Sequence, residues 1–222
     1  MTMTIKVKIC GIRTAGALAA CVHGRADYIG LVFYPPSPRF LTPEKARDLC
    51  GGISGNPAKV ALTVDAGDAL LDDIITHVAP ACLQLHGSET PARVRAVQTR
   101  FHLPVIKAIP VADERDIEAA RGFEDVADML LFDAKPRISE GAGGGTATLP
   151  GGNARVFDWR LLAGQKWARP WFLSGGLDAH NVAEAVACTG AHGVDVSSGV
   201  ERTRGHKDPA LITEFLETIA AL

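Results

Sequence analysis

The feature that most constrains this chain is an order of patterns: short, nearly continuous apolar runs alternate in strict sequence with segments of helical spacing. Runs without polar alternation are what strands look like when both faces are covered. They fall at residues 6–12, 28–33, 59–64, 82–86, 104–109, 128–133, 170–173 and 192–196. Between them, residues 68–78 carry Leu70, Leu71, Ile74, Ile75 and Val78 on one helical face, and residues 178–188 do the same with Val182, Ala185 and Val186. Helix starts are marked chemically. Thr14 reads as an N-cap, Thr42-Pro43-Glu44 as N-cap, first-turn proline and acidic first turn, and Ser88, Glu89 and Pro91 as a further start. Asp208-Pro209 caps a closing helix whose stripe is Leu211, Ile212, Phe215, Leu216 and Ile219. Residues 113–121 and a short segment at 157–162 complete the helical set.

About eight strand-helix units in this order predict an α/β chain folded as a single (β/α)8 barrel over residues 1–222. An open doubly wound sheet is the alternative, but the first strand is not followed by the Gly-x-Gly-x-x-Gly turn that such sheets use for dinucleotides. The pattern lapses once, between residues 134 and 155, where 141–152 is too glycine-rich to hold helix or strand. Because it resumes afterwards, the lapse reads as an active-site loop or lid and not as a linker between domains.

Composition narrows the function. Apolar residues at 47% and charged residues at 22% suit a globular protein, and a formal net charge of -2 argues against general affinity for nucleic acid or membranes, so any anion site must be local. The five cysteines are odd in number and scattered, with neither paired nor zinc-ligand spacing, so no disulfide framework or metal site is expected, and a reducing cytoplasm is. No apolar run approaches the roughly 18 residues of a membrane span, and the first residues lack the apolar region of a signal peptide.

In barrels of this kind the chemistry sits at the C-terminal ends of the strands, so the polar residues that close the apolar runs become candidates. Cys10 ends the first run, after Lys6 and Lys8 alternating with Val7 and Ile9, and Gly11 then permits a sharp exit. Asp133 ends the sixth run, across the ring. A thiol and a carboxyl facing one ligand make an acid-base pair. Gly175 and Gly176 follow the seventh run, and Ser197, Ser198 and Gly199 the eighth, where backbone N–H groups of such barrels hold phosphate. Arg39 follows the stiff segment Pro35-Pro36-Ser37-Pro38, which fixes a guanidinium suited to a carboxylate or phosphate. His86 closes the fourth run and reads as hydrogen-bonded within the strand-end layer ahead of contacting a ligand. Lys107 lies within a strand, which argues against a Schiff base, and Cys21, Cys50, Cys82 and Cys188 read as packing residues.

Taken in order, Lys8-Ile9-Cys10-Gly11-Ile12, Gly30-Leu31-Val32-Phe33-Tyr34 with Ser37-Pro38-Arg39, Gln84-Leu85-His86-Gly87, Leu131-Phe132-Asp133, Phe157-Asp158-Trp159, Leu173-Ser174-Gly175-Gly176-Leu177 and Val194-Asp195-Val196-Ser197-Ser198-Gly199-Val200-Glu201 resemble the signatures of the phosphoribosylanthranilate isomerase family. The resemblance implies an Amadori rearrangement of a phosphorylated aminosugar in tryptophan biosynthesis, with Cys10 as general base, Asp133 as general acid and Arg39 on the anthranilate carboxylate. It implies no cofactor and no metal. Family members run from a short glycine-rich loop almost directly into Phe-Asp-Trp, whereas here residues 147–154 intervene. Other phosphosugar-processing barrels, such as an epimerase or an indole-forming synthase, would share the phosphate site but want metal-binding histidines and aspartates, or a Lys-Glu pair, at strand ends. A non-catalytic phosphosugar-binding barrel is the remaining alternative, separated from the isomerase by turnover.

Overall fold

All eight apolar runs form parallel strands: β1 (Lys6–Cys10), β2 (Tyr28–Val32), β3 (Ala58–Thr63), β4 (Cys82–Leu85), β5 (Val105–Val111), β6 (Met129–Ala134), β7 (Trp171–Leu173) and β8 (Gly193–Val196). In this computed structural model, which describes residues 4–53, 55–135 and 157–222, each strand pairs with the next and β8 returns to β1, closing a barrel. The closing register sets Val7 opposite Val194 and Ile9 opposite Val196. Residues 141–152, the glycine-rich stretch read as a lid, lie outside the described residues, as do residues 147–154.

The helices are α1 (Ala15–His23), α2 (Pro43–Cys50), α3 (Asp68–Val78), α4 (Pro91–Phe101), α5 (Glu114–Ala120), α6 (Val182–Thr189) and α7 (Pro209–Ala220). Thr14, Thr42 and Asp208 cap α1, α2 and α7 with side-chain oxygens that accept backbone N–H bonds, each cap contributing about 1 kcal/mol. Three expectations shift. The cap of α4 is Thr90 and not Ser88, because Glu89 is drawn inside to meet Lys107. The segment at 157–162 is one turn of 3-10 helix, Trp159–Leu162. Helix α6 starts at Val182, four residues later than its apolar spacing suggests, since the Asp178 carboxylate accepts the N–H groups of His180 and Asn181 and holds the chain in a turn. A small hairpin of β9 (Glu201–Thr203) and β10 (His206–Lys207) follows β8.

Period-two alternation divides each strand between two cores. Outward residues such as Ile9, Ile29, Leu83, Phe132 and Val196 pack with Leu71, Ile74, Val94 and Phe215 of the helices. Inward residues Val60, Cys82, Ile106, Ala108, Leu131 and Phe172 fill the barrel, with Tyr28 edge-on to Phe172. Further inward positions of β1, β4 and β8 are taken by polar groups, Lys8, Gln84 and Asp195, all buried. Cys10, Val32 and Leu62 form a third cluster. No helix among the described residues is long and apolar enough to cross a membrane.

Candidate active site

One pocket at the C-terminal ends of the strands is lined by Cys10, Arg39, His86, Asp133, Asp195 and Ser197, with Val32, Tyr34, Leu62 and Val64 supplying apolar wall. Cys10 enters it because its partner across the β1–β2 pairing is Gly30. A β-carbon on Gly30 would lie 2.8 Å from the Cys10 sulfur and 3.1 Å from Lys8 Nζ, so the missing side chain is what lets thiol and ammonium share one space. Lys8 is fully buried and donates to Asp195 Oδ1 at 2.7 Å, while Ser174 Oγ donates to Asp195 Oδ2 at 3.2 Å. Burial works against the Lys8 charge, yet Asp195 and Cys10 hold its pKa above the ordinary value. Burial pushes the Cys10 thiol up, and the neighbouring Lys8 ammonium is the largest influence opposing it.

Across the pocket Asp133 is also buried. Its Oδ1 accepts the Ala134 N–H at 2.9 Å, and its Oδ2 lies 3.3 Å from His86 Nε2. The other ring nitrogen, Nδ1, is 2.8 Å from the amide nitrogen of Gln84, two residues back on the same inward face. The expectation that His86 is hydrogen-bonded within the strand-end layer therefore agrees with its bond to Gln84, and the candidate acid lies beside its other ring nitrogen.

The third wall is cationic. Arg39 donates to Glu201 through Nε and Nη2, both at 2.8 Å, a bidentate fork. Lys207 Nζ donates to the same carboxylate at 2.6 Å, and the Gly205 N–H at 2.9 Å. Burial alone would raise the Glu201 carboxyl, but Arg39 and Lys207 hold it down at about 2. Two basic side chains thus face one carboxylate at the pocket edge. Lys207 also donates to the Ser197 carbonyl at 2.8 Å, and Ser197 Oγ donates to the Cys10 carbonyl at 3.2 Å, tying the end of β8 to the end of β1.

Of the residues singled out from sequence, Cys10, Asp133, Arg39 and Ser197 meet in this pocket. Gly175, Gly176, Ser198 and Gly199 do not line it and form the adjoining rim. Gly175 and Gly176 both have positive φ, 89° and 72°. Ser198 opens a single 3-10 turn, Ser198–Val200, and a β-carbon on Gly199 would lie 1.9 Å from the Leu177 carbonyl oxygen, so the loops after β7 and β8 are pressed together. Sequence reasoning passed over Lys8, Asp195, Gln84, Glu201 and Lys207. The first three carried a usable signal: in a strand covered on both faces, a polar residue in register with an inward site residue must be paired. Lys107 and Glu89 do form a buried pair beside the end of β4, at 2.8 Å, but Lys107 lies within β5, alternates with the inward Ile106 and Ala108 and is absent from the pocket wall.

The model of the N-(5'phosphoribosyl)anthranilate (PRA) isomerase family matches residues 7–218. N-(5'-phosphoribosyl)anthranilate isomerase of Rhodospirillum centenum is 51% identical over 220 residues, 99% of this chain and 100% of that one. The enzyme of the same name from Paramagnetospirillum magneticum is 50% identical over 97% of each chain. Among solved structures, phosphoribosyl anthranilate isomerase from Thermotoga maritima superposes with a TM-score of 0.84 at 33% identity, covering 98% of this chain and 100% of that one. A phosphoribosyl anthranilate isomerase in complex with reduced 1-(o-carboxyphenylamino)-1-deoxyribulose 5-phosphate does so with a TM-score of 0.80 at 31% identity and the same coverage.

Proposed function

Because the chain belongs to the N-(5'-phosphoribosyl)anthranilate isomerase family, we propose that Cys10 and Asp133 divide the proton transfers of that reaction between them. The protein converts N-(5'-phosphoribosyl)anthranilate, an aminoaldose, into 1-(2-carboxyphenylamino)-1-deoxyribulose 5-phosphate in tryptophan biosynthesis. The observation that carries the residue roles is that thiol and carboxyl occupy opposite walls of one pocket at the mouth of the barrel.

Asp133 gives its proton to the furanose ring oxygen. The C1–O bond breaks with its electron pair passing to that oxygen, and the nitrogen lone pair forms an iminium at C1. The Cys10 thiolate then takes the C2 proton, and the released pair makes the C1–C2 double bond of an enolamine while neutralising the nitrogen. Loss of the C2 hydroxyl proton and gain of one at C1 give the ketone, so the change is redox-neutral overall. A buried thiol ionises reluctantly but is the stronger base once ionised, and the Lys8 ammonium beside it lessens that reluctance. The reaction needs no cofactor or metal.

Arg39, held by Glu201 with its side chain in the pocket wall, receives the anthranilate carboxylate. The rim of Gly175, Gly176, Ser197, Ser198 and Gly199 receives the phosphate, with Lys207 behind Ser197 adding positive charge. Remote binding of both anions orients the sugar between acid and base. The five unpaired cysteines fit a reducing cytoplasm.

The test is loss of substrate fluorescence on mixing purified protein with phosphoribosylanthranilate. Cys10→Ser and Asp133→Asn should each lower kcat by about 10² to 10⁴-fold with KM and thermal stability near wild type. Either variant turning over within a few-fold of wild type would remove that residue from the chemistry.

A further inference from the structure

The substrate carries two anions, a carboxylate at one end and a phosphate at the other, so a pocket that attracted both equally at either end would let it bind reversed. The wall around Arg39 holds the means to tell them apart. Glu201 Oε1 accepts from Arg39 Nε at 2.8 Å and Lys207 Nζ at 2.6 Å, and its Oε2 accepts from Arg39 Nη2 at 2.8 Å and the Gly205 N–H at 2.9 Å. These donors fill the lone-pair positions of a carboxylate, so Glu201 has no capacity left for a ligand. Against the cost of burial, Arg39 and Lys207 hold its pKa at about 2, which keeps it charged at neutral pH.

Lys207 is saturated as well. Its Nζ donates to Glu201, to the Ser197 carbonyl at 2.8 Å and to the Ser197 hydroxyl at 3.2 Å, which uses every hydrogen of an ammonium. Burial pulls its pKa below the ordinary value, and Glu201 is the largest influence holding it up. Lys207 therefore gives the wall charge and no direct contact. The aim of Arg39 is fixed by packing too. A β-carbon on Gly11 would lie 2.5 Å from Arg39 Cδ, so the arginine stem crosses the backbone next to Cys10, and one on Gly205 would lie 2.8 Å from the Pro38 carbonyl oxygen, so the β9–β10 hairpin presses on the residue before Arg39. Two cations and one carboxylate leave these three side chains a single net positive charge. That balance suits a carboxylate. Without Glu201 there would be two cations facing no anion, a setting for a phosphate, which carries about -1.5 to -2 at pH 7, and Ser197 of the phosphate rim is already bonded to Lys207.

We propose that Glu201, the shared counter-ion of Arg39 and Lys207, is a positioning and specificity-determining residue: it aims the guanidinium and limits this wall to one positive charge, so that the wall takes the anthranilate carboxylate and refuses the phosphate end. The inference rests on Arg39 receiving that carboxylate, and it adds what makes the choice between the two ends of the substrate.

The experiment compares Glu201→Gln, Glu201→Asp and Arg39→Ala by steady-state kinetics, thermal melts and calorimetric titration with inorganic phosphate. Wild type should bind about one phosphate per chain, at the glycine rim, and Glu201→Gln about two, the second between Arg39 and Lys207. Glu201→Gln should also raise KM by about tenfold with kcat within about threefold of wild type, since the acid and base are untouched while the carboxylate clamp loses its aim. Glu201→Asp keeps the charge and loses reach, so it should stay at about one phosphate and raise KM less than Glu201→Gln does. If Glu201→Gln fails to fold, Glu201→Asp decides: a second phosphate or a wild-type KM there overturns the inference. An Arg39→Ala enzyme with wild-type KM would remove the carboxylate clamp and the inference with it. A raised KM in Arg39→Ala beside a Glu201→Gln enzyme that binds a single phosphate would overturn the inference alone, whatever its melting temperature, because a merely structural glutamate creates no new anion site when it is lost.

Discussion

Of the three buried lysine-carboxylate pairs among the described residues, the two whose lysines lie in barrel strands look alike and are placed oppositely. Lys8 meets Asp195 at 2.7 Å with side-chain exposures of 0% and 4%, and Lys107 meets Glu89 at 2.8 Å with 3% on each side. Lys107 points out of the sheet. Its ammonium also donates to the carbonyls of Leu85 and Gly87, and Glu89 accepts the N–H groups of Asp65 and Gly87, so the loop after β4 is pinned from several directions. Lys8 points in. Apart from Asp195, the neighbour acting on its charge is the Cys10 sulfur. The same chemical unit is a fastener on one side of the strand wall and an electrostatic setting for a thiol on the other. Which face a residue occupies, and not its type or burial, decides whether it affects the reaction.

Breaking each pair should separate the two jobs. Lys107→Met leaves Glu89 buried without its cation and should cost about 3 to 5 kcal/mol of stability. Measured well below the melting temperature, its kcat should stay within a few-fold of wild type. Lys8→Met should cost a similar amount of stability and also lower kcat at neutral pH by about tenfold, because the thiol loses the ammonium that most opposes its upward shift. The double variant Lys8→Met with Asp195→Asn removes the uncompensated charge, recovers stability and keeps the kinetic defect. Equal kinetic losses from both lysines would erase the distinction.

A pH profile sharpens it. The base acts as thiolate, and burial holds the Cys10 thiol above its ordinary range, so kcat should climb with pH from about 7 to 9. Lys8→Met should move that limb upward and Lys107→Met should not. A wild-type profile that is flat or falling over this interval would remove the thiolate from the mechanism.

The smallest expected effect comes from Ser174, whose hydroxyl steadies Asp195 at 3.2 Å. Ser174→Ala should lower stability by about 0.5 to 1.5 kcal/mol and alter kcat less than Lys8→Met does. A larger kinetic loss than that of Lys8→Met would mean that Asp195 serves the pocket more directly than through its lysine.

The barrel was legible because strands covered on both faces leave nearly unbroken apolar runs, and the caps at Thr14, Thr42 and Asp208 punctuate the helices between them. The outer layer of the site was legible for a related reason: Cys10 and Asp133 stand where apolar runs stop. What lay beneath was hidden by register. Lys6 and Lys8 look equivalent in sequence, yet Lys6 pairs with Asp27 at the surface while Lys8 is sealed inside. Glu89 resembles a first-turn acid and is instead the partner of Lys107, and nothing local foretells that Glu201 orients Arg39 from 162 positions away. The apolar spacing starts α6 at Asp178 and not at Val182, because the Asp178 turn competes with helix and leaves that spacing unchanged.

The closing of the barrel has a consequence for how the molecule comes into being. The Lys8–Asp195 and Ser197–Cys10 bonds each join positions 187 residues apart, most of the length of the chain. During synthesis from the N-terminus the thiol strand emerges first, but the carboxylate that balances its lysine arrives with the eighth strand, so the reactive centre is among the last things to exist. Seven strands can neither shut the ring nor settle the charge of Lys8, and catalytic competence becomes a property of closure.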